Sequence, residues 1–292
     1  MAEFYLSAFA DEAADDLDGQ IAALHDAGIR FIEPRSIDGR GILDLSEEEL
    51  SLLKQKLDAA GIRVGSLGSP IGKYGIDEDF ESYKTVFEKA LTACRILGTD
   101  RMRMFSFFVG QDELKEKRAE VLTRLAYMTR RADEVGVKLC HENESRIYGQ
   151  MPKEVADLLS SLPSLYGIFD PANYVANGAD PLEGIRATLP SLSYLHIKDA
   201  LSDGTILPAG EGEGHIGEIL DLVDAHTDAP VMLTVEPHLR LFVAFGKIDA
   251  HTLKGKHAFK NNRESFAFAV HALEEVLRGR GYRKGDTGTW KK

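Results

Sequence analysis

Asp26-Ala27-Gly28-Ile29-Arg30 and Ala59-Ala60-Gly61-Ile62-Arg63 carry nearly the same local message. In each, a stretch with helical spacing runs into a glycine, and an apolar segment of strand type follows at once. Leu97-Gly98-Thr99 and Val135-Gly136-Val137 stand at equivalent junctions. A residue without Cβ enters the left-handed conformation that ends a helix with little strain, so these glycines predict four helix C-termini, each followed by a strand.

Outward from these junctions the same unit repeats. Leu17, Ile21 and Leu24 recur at helical spacing before the first glycine, Leu50, Leu53 and Leu57 before the second, and Val121, Leu125, Met128, Ala132 and Val135 before the fourth. Such spacing gathers apolar side chains on the helix face that covers a sheet. Strands are predicted at residues 3–9, 29–33, 62–67, 100–106, 137–142, 166–170, 193–198 and 231–236, and Phe266, Val270, Leu273 and Leu277 mark a last helix. Eight alternations of strand and helix predict a single (β/α)8 TIM barrel over residues 1–283, with a doubly wound open sheet as the structural rival. Residues 200–214, rich in glycine, and the long loop 237–262 between the eighth strand and eighth helix exceed ordinary connections, and loops of that length usually bind or cover something. Residues 284–292 read as a flexible tail.

The bulk composition narrows the partners. A chain of 292 residues with 43% apolar residues can bury a large barrel core, and its net charge of −12 opposes binding to nucleic acid or anionic lipid. Met1-Ala2-Glu3-Phe4 has no basic leader region, and no apolar run approaches a membrane span, so the expectation is a soluble cytoplasmic protein. Cys94 and Cys140 lack the C-x-x-C spacing of a zinc knuckle or redox pair and read as two buried thiols.

A barrel of this type places its active site where the strands end. Strand five closes on Glu142, strand six on Asp170, strand seven on His196 and strand eight on Glu236, at separations of 28, 26 and 40 residues. Four consecutive strands thus bring three carboxylates and one imidazole to one rim. Buried without a cation, carboxylates so placed would be driven to protonate, so the set predicts one divalent ion, Mn²⁺ before Zn²⁺, Co²⁺ or Mg²⁺. His141, next to Glu142, should face the helix layer, and His215 reads as part of a helix start.

The order of short motifs resembles the xylose-isomerase-like superfamily of sugar phosphate isomerases and epimerases. Phe31-Ile32-Glu33-Pro34-Arg35, Ser69-Pro70-Ile71-Gly72-Lys73, Arg103-Met104-Phe105-Ser106 and Glu142-Asn143-Glu144 carry it through the first half. Asp170-Pro171-Ala172-Asn173, His196-Ile197-Lys198-Asp199, Gly210-Glu211-Gly212 and Glu236-Pro237-His238 continue it. The resemblance implies that Glu142, Asp170, His196 and Glu236 hold the metal and that Glu142 and Glu236 flank a small sugar or polyol as acid and base. Proton removal next to a metal-polarised carbonyl would give an enediolate, and return of the proton would complete isomerisation or epimerisation. Where the family commonly has Asp-x-x-His, this chain has Asn173, which can hydrogen-bond a hydroxyl but cannot shuttle a proton.

Strand-end position and two-residue periodicity add Glu33, Arg35, Lys73, Arg103, Glu144, Lys198 and His238 as groups for substrate hydroxyls or a carboxylate. The two glutamates of Gly210-Glu211-Gly212-Glu213-Gly214 argue for an unphosphorylated substrate. Two other readings share these residues: a metal-dependent dehydratase of a cyclic polyol or dehydroshikimate-like substrate, and a non-catalytic sugar-binding barrel. The related DNA-repair endonucleases need further histidines on early strands, and Ser66-Leu67-Gly68-Ser69-Pro70 has none. Phe242, Phe245 and Phe259 in the 237–262 loop would cover either the sugar or the face of a homodimer.

Overall fold

The computed structural model describes residues 2–240 and 257–292. Its wall is built from β1 (Glu3–Ala8), β2 (Phe31–Ile32), β3 (Arg63–Val64), β4 (Arg101–Met104), β5 (Lys138–Glu142), β6 (Leu165–Phe169), β7 (Leu192–Ile197) and β8 (Pro230–Val235). Around them lie α1 (Leu17–Asp26), α2 (Glu47–Ala59), α3 (Phe80–Leu97), α4 (Leu114–Glu134) and α5 (Pro152–Ser161). The short α6 (Pro171–Ala176), then α7 (Pro181–Thr188), α8 (Ile216–His226) and α9 (Asn262–Gly279), complete the set described.

Parallel pairing runs from β4 through β5, β6, β7 and β8 to β1, with Met104 opposite His141, Glu142 opposite Ile168, Thr234 opposite His196, and Ala8 opposite Val235. The ring closes through short contacts. Leu67 bridges to Met102, Phe31 pairs with Arg63, and the Glu33 amide donates to the Ala8 carbonyl at 3.0 Å. The fold is therefore the (β/α)8 barrel, although β2 and β3 are shorter than residues 29–33 and 62–67 suggest.

The four junction glycines adopt the conformation their positions demand, with φ of 66° at Gly28, 69° at Gly61, 71° at Gly98 and 74° at Gly136. Leu50, Leu53 and Leu57 of α2, and Val121, Leu125, Met128 and Ala132 of α4, are buried against the wall. Burial of a side chain of this size contributes about 1.5–3 kcal/mol, so these stripes hold the helix ring in place. Val135, counted in the same stripe, is 46% exposed because α4 ends one residue before it.

Residues 284–292 are not a loose tail. Thr289–Lys291 forms a strand antiparallel to β1, pairing Trp290 with Phe4 and Thr289 with Tyr5. The Trp290 indole is fully buried, and the Arg278 guanidinium of α9 lies 5.3 Å over its ring. This strand takes the lower part of the β1 edge, which β2 meets only at its upper end.

Above β3, β4 and β5 the loops are knitted by backbone bonds. Phe105 donates to Ile71 at 2.7 Å, Phe107 to Gly72 at 3.1 Å, and Tyr148 to Phe107 at 3.2 Å. Gly72 is required here, since its φ is 89° and a Cβ would stand 1.9 Å from the Phe105 carbonyl oxygen. Of the three aromatic residues expected to cover either the sugar or a dimer face, Phe242 and Phe245 lie outside the described residues, and Phe259 packs on Phe268 with ring centroids 5.3 Å apart.

Candidate metal centre at the barrel mouth

Side chains two residues apart on a strand share a face, so each inward position defines a layer of the barrel interior. Tyr194 and Thr234 precede His196 and Glu236 by two residues and form the layer below them. Glu33 belongs to this lower layer. Its carboxylate accepts from the Tyr194 hydroxyl at 2.8 Å and from the Thr234 hydroxyl at 3.0 Å, and the Tyr194 oxygen also meets the Ser66 hydroxyl at 2.9 Å. Glu33 Oε2 lies 3.4 Å from His196 Nε2. Glu33 is fully buried, and the contacts described for it are to the wall and to the His196 ring. Against the effect of burial, Glu142 and Glu33 raise the His196 pKa to about 10, and an ion binding at Nδ1 would displace the proton there and leave the remaining one on Nε2, facing Glu33.

That Nδ1 points into the upper layer. It lies 3.1 Å from Glu142 Oε1 and 3.6 Å from Glu236 Oε2. One ligand atom from each of Glu142, Asp170, His196 and Glu236 falls within 4.8 Å of the others, and all four residues are buried. A cation with donors at about 2.0–2.2 Å spans up to roughly 4.4 Å between opposite ligands, so slight closure suffices. Two further observations fit a metal. Neither His196 nitrogen completes a hydrogen bond, and Asp170 Oδ2 completes none either, holding only an ion-pair contact of 2.9 Å with Lys198 Nζ. Buried polar atoms left this way are rare unless a ligand or ion meets them.

The cluster is framed by hydrogen bonds from its own backbone and side chains. Asp170 caps α6 by accepting from the Asn173 amide at 3.0 Å, which leaves its other oxygen inward. Asn143 ties β5 to β6, donating to the Asp170 carbonyl and accepting from its amide at 2.9 Å each. Asn173 Nδ2 reaches Glu142 Oε1 at 3.4 Å and donates to the Asn143 carbonyl at 2.8 Å.

The two glutamates are held alike. Glu142 turns one oxygen to His196 and the other to Arg103 Nη1 at 3.3 Å. Glu236 turns one oxygen to His196 and Lys198, the latter at 3.3 Å, and the other to Arg35 Nη1 at 3.2 Å. Burial pushes the Glu142 carboxyl up, but the His196 ring and the Arg103 guanidinium outweigh it and hold the pKa at about 2. Burial likewise opposes ionisation of Glu236, and Lys198, His238, His196 and Arg35 together hold its carboxyl well below the usual range. Both are carboxylates at neutral pH.

Arg35 is itself gripped by two residues the sequence reading missed. Asp11 accepts from Arg35 Nε and Nη2 at 3.0 Å each, and Glu12 accepts from Nη2 at 3.2 Å. Both acids are buried in the turn that follows β1. Burial pushes Glu12 up to about 8 despite Arg35, with Glu236 and Asp11 adding to the rise. The signal was available, because Asp11-Glu12 follows the first strand at the same rim, although it lies in the turn beyond the strand end.

The remaining expected residues also reach the mouth. Lys73 Nζ pairs with Glu144 at 3.1 Å and lies 4.7 Å over the Phe105 ring. His238, with φ of 47°, stands 3.4 Å from Glu236 and 3.5 Å from Glu12, and its amide bonds Glu12 Oε2 at 2.6 Å. His141 packs away from the mouth against the Ser106 hydroxyl at 2.9 Å, and His215 is the N-cap residue of α8. Both cysteines are free and buried.

The glycine-rich loop wraps Asp199. Its carboxylate accepts from the amides of Gly210, Gly212 and Gly214 at 2.9, 3.0 and 2.8 Å, and from Ala200 at 2.9 Å. A Cβ on Gly212 would stand 2.3 Å from Asp199 Oδ1. Barrels of this class often bind phosphate on the amides of such a loop, and here an internal carboxylate occupies them.

Fold and site together define a (β/α)8 barrel whose mouth presents a buried acidic and histidine cluster able to hold a metal ion. Residues 21–258 match the xylose isomerase-like TIM barrel family, and the chain belongs to that family. No curated protein matches this chain in sequence. Among solved structures, the probable 3-DHS dehydratase AsbF of Bacillus anthracis is 14% identical with a TM-score of 0.71, covering 94% of this chain and 99% of its own. The D-psicose 3-epimerase of Clostridium cellulolyticum H10, solved with D-tagatose, is 14% identical with a TM-score of 0.69, covering 94% and 98%. The IolI protein, solved with a zinc atom, is 14% identical with a TM-score of 0.72, covering 94% and 99%. At these identities the likeness establishes the fold. No described helix is long and apolar enough to cross a membrane.

Proposed function

We propose that this barrel is a metal-dependent isomerase or epimerase of a small sugar, ketose or keto-polyol. The observation that carries the reading is the matched pair of glutamates, each with one oxygen toward His196 and the other on an arginine. Glu142, Asp170, His196 and Glu236 would hold the ion, which when bound would polarise the carbonyl and neighbouring hydroxyl of the substrate. One of the two carboxylates then removes the proton between those groups and the other returns one. Arg103 and Arg35 keep both bases ionised and fix their rotamers, and Asn173 stands where it can donate to a substrate hydroxyl.

A second reading, dehydration of a cyclic polyol or a dehydroshikimate-like compound, is favoured by Lys198. Its ammonium sits among the ligands, 7% exposed and kept protonated against burial by Asp170 and Glu236, where it could donate a hydrogen bond to a departing hydroxyl.

Candidate ketoses and keto-inositols in D₂O with Mn²⁺-loaded protein separate these outcomes by NMR. Deuterium at one carbon without loss of water marks the epimerase or isomerase, and an alkene product marks the dehydratase. Glu142→Gln and Glu236→Gln should each slow exchange by roughly 10²–10⁴ at matched metal content. Exchange at the wild-type rate in both variants would reject the assigned bases.

A further inference from the structure

We propose that the substrate bears a carboxylate at the end remote from the reacting carbons, and that Arg103 and Lys73 receive it. The proposal rests on the catalytic reading above and deepens it by naming a substrate class.

A cavity of about 230 Å³ opens beside the cluster over the ends of β2, β3 and β4, and its lining includes Arg35, Lys73 and Arg103 together with Ile42, Leu43 and Pro70. It is smaller than the roughly 300–1,000 Å³ of a whole ligand cleft, so it suits one end of a molecule whose other end lies at the cluster. Arg103 joins the two places, since it lines the cavity and bonds Glu142 at 3.3 Å.

The cations are placed to meet an anion. Arg103 has five N–H donors, of which one goes to Glu142 and two go to the Ser69 and Gly68 carbonyls at 3.3 and 3.4 Å. Lys73 has three donors and one carboxylate partner, Glu144. Its side chain is 22% exposed, so an incoming group can reach the ammonium. Asp44, the one acid among the described residues that line the cavity, is exposed. Neutral hydroxyls would be equally well met by mixed donors and acceptors, whereas adjoining guanidinium and ammonium groups match a carboxylate. A phosphate seated instead on the glycine-rich loop is disfavoured because the amides of Gly210, Gly212 and Gly214 are already bonded to Asp199.

The test uses Mn²⁺-loaded protein and matched trios of six-carbon sugars that differ only at the terminal carbon: neutral sugar, uronic or ketouronic acid, and phosphate ester. Saturation-transfer NMR identifies binders and calorimetry measures them. Acids should bind about tenfold or more tightly than their neutral partners, and the esters no more tightly than the acids. Lys73→Gln should shrink the acid-to-neutral ratio about tenfold, and Lys73→Arg should retain most of it. Acids that bind no better than neutral sugars, a set with no acid binder, esters that bind tightest, or an unchanged ratio in Lys73→Gln would each overturn the proposal. Metal uptake and deuterium exchange in the same preparations keep the two readings apart. Exchange without acid preference rejects only the carboxylate site, and failure to take up metal rejects the catalytic reading itself.

Discussion

Glu33 and Asp170 are both fully buried carboxylates inside the barrel, yet their oxygens are met in opposite ways. Each Glu33 oxygen accepts from a hydroxyl on β7 or β8, so the lower layer is closed by the protein alone. One layer up, Asp170 Oδ2 and both His196 nitrogens complete no hydrogen bond, although several charged groups crowd them. A satisfied buried polar network rigidifies a core, and an unsatisfied one destabilises it unless something else binds. The contrast separates a supporting carboxylate from a ligating one.

The largest effect that tests this contrast is metal binding itself. An ion at about 1,000 times its Kd should add about 4 kcal/mol to stability and raise Tm by roughly 10 °C, read by calorimetry with and without chelator. An equal Tm in both conditions would mean that the upper layer is as complete as the lower. Glu33→Gln then breaks the lower layer. The amide cannot accept on both arms, so the Tyr194 or the Thr234 hydroxyl loses its acceptor, with a loss of about 2 kcal/mol in the metal-free protein. With the ring no longer fixed, metal affinity should fall about 10–100-fold in chelator competition, as at other ligating histidines stripped of their carboxylate. Unchanged affinity would make Glu33 a packing residue only.

How far these layers were legible in the sequence follows from the range of each signal. The helix-ending glycines are local, and all four junctions were read correctly from neighbouring residues. The convergence of Glu142, Asp170, His196 and Glu236 was readable because consecutive strand ends of a barrel share one rim. Depth was not readable. Glu33 also stands at a strand end, but strand tilt and stagger set the level it reaches, and only the closed ring places it beside Tyr194 and Thr234. Asp11 and Glu12 escaped because they lie in a turn past β1, where two-residue periodicity stops. The pairing of Trp290 with Phe4 spans nearly the whole chain and leaves no local pattern, although a lone tryptophan in a polar tail was itself a hint of burial.

Asp199 offers the smallest and most local test, because it stands between the two cases. It is as completely bonded as Glu33, but its donors are backbone amides of one loop instead of side chains on the wall. Charge-assisted bonds of this kind hold the loop without holding the barrel. Asp199→Ala should therefore lower global stability by only about 1–2 kcal/mol while raising hydrogen exchange at Gly210, Gly212 and Gly214 by an order of magnitude or more. The vacated amides would still point toward a common centre, which is the arrangement that binds small anions in other proteins. Millimolar phosphate or formate should then restore part of the lost protection in the variant and leave the parent protein unchanged. If the variant's loop exchanges no faster than before, the carboxylate is not what holds the glycines together, and their crowding against Asp199 needs another cause.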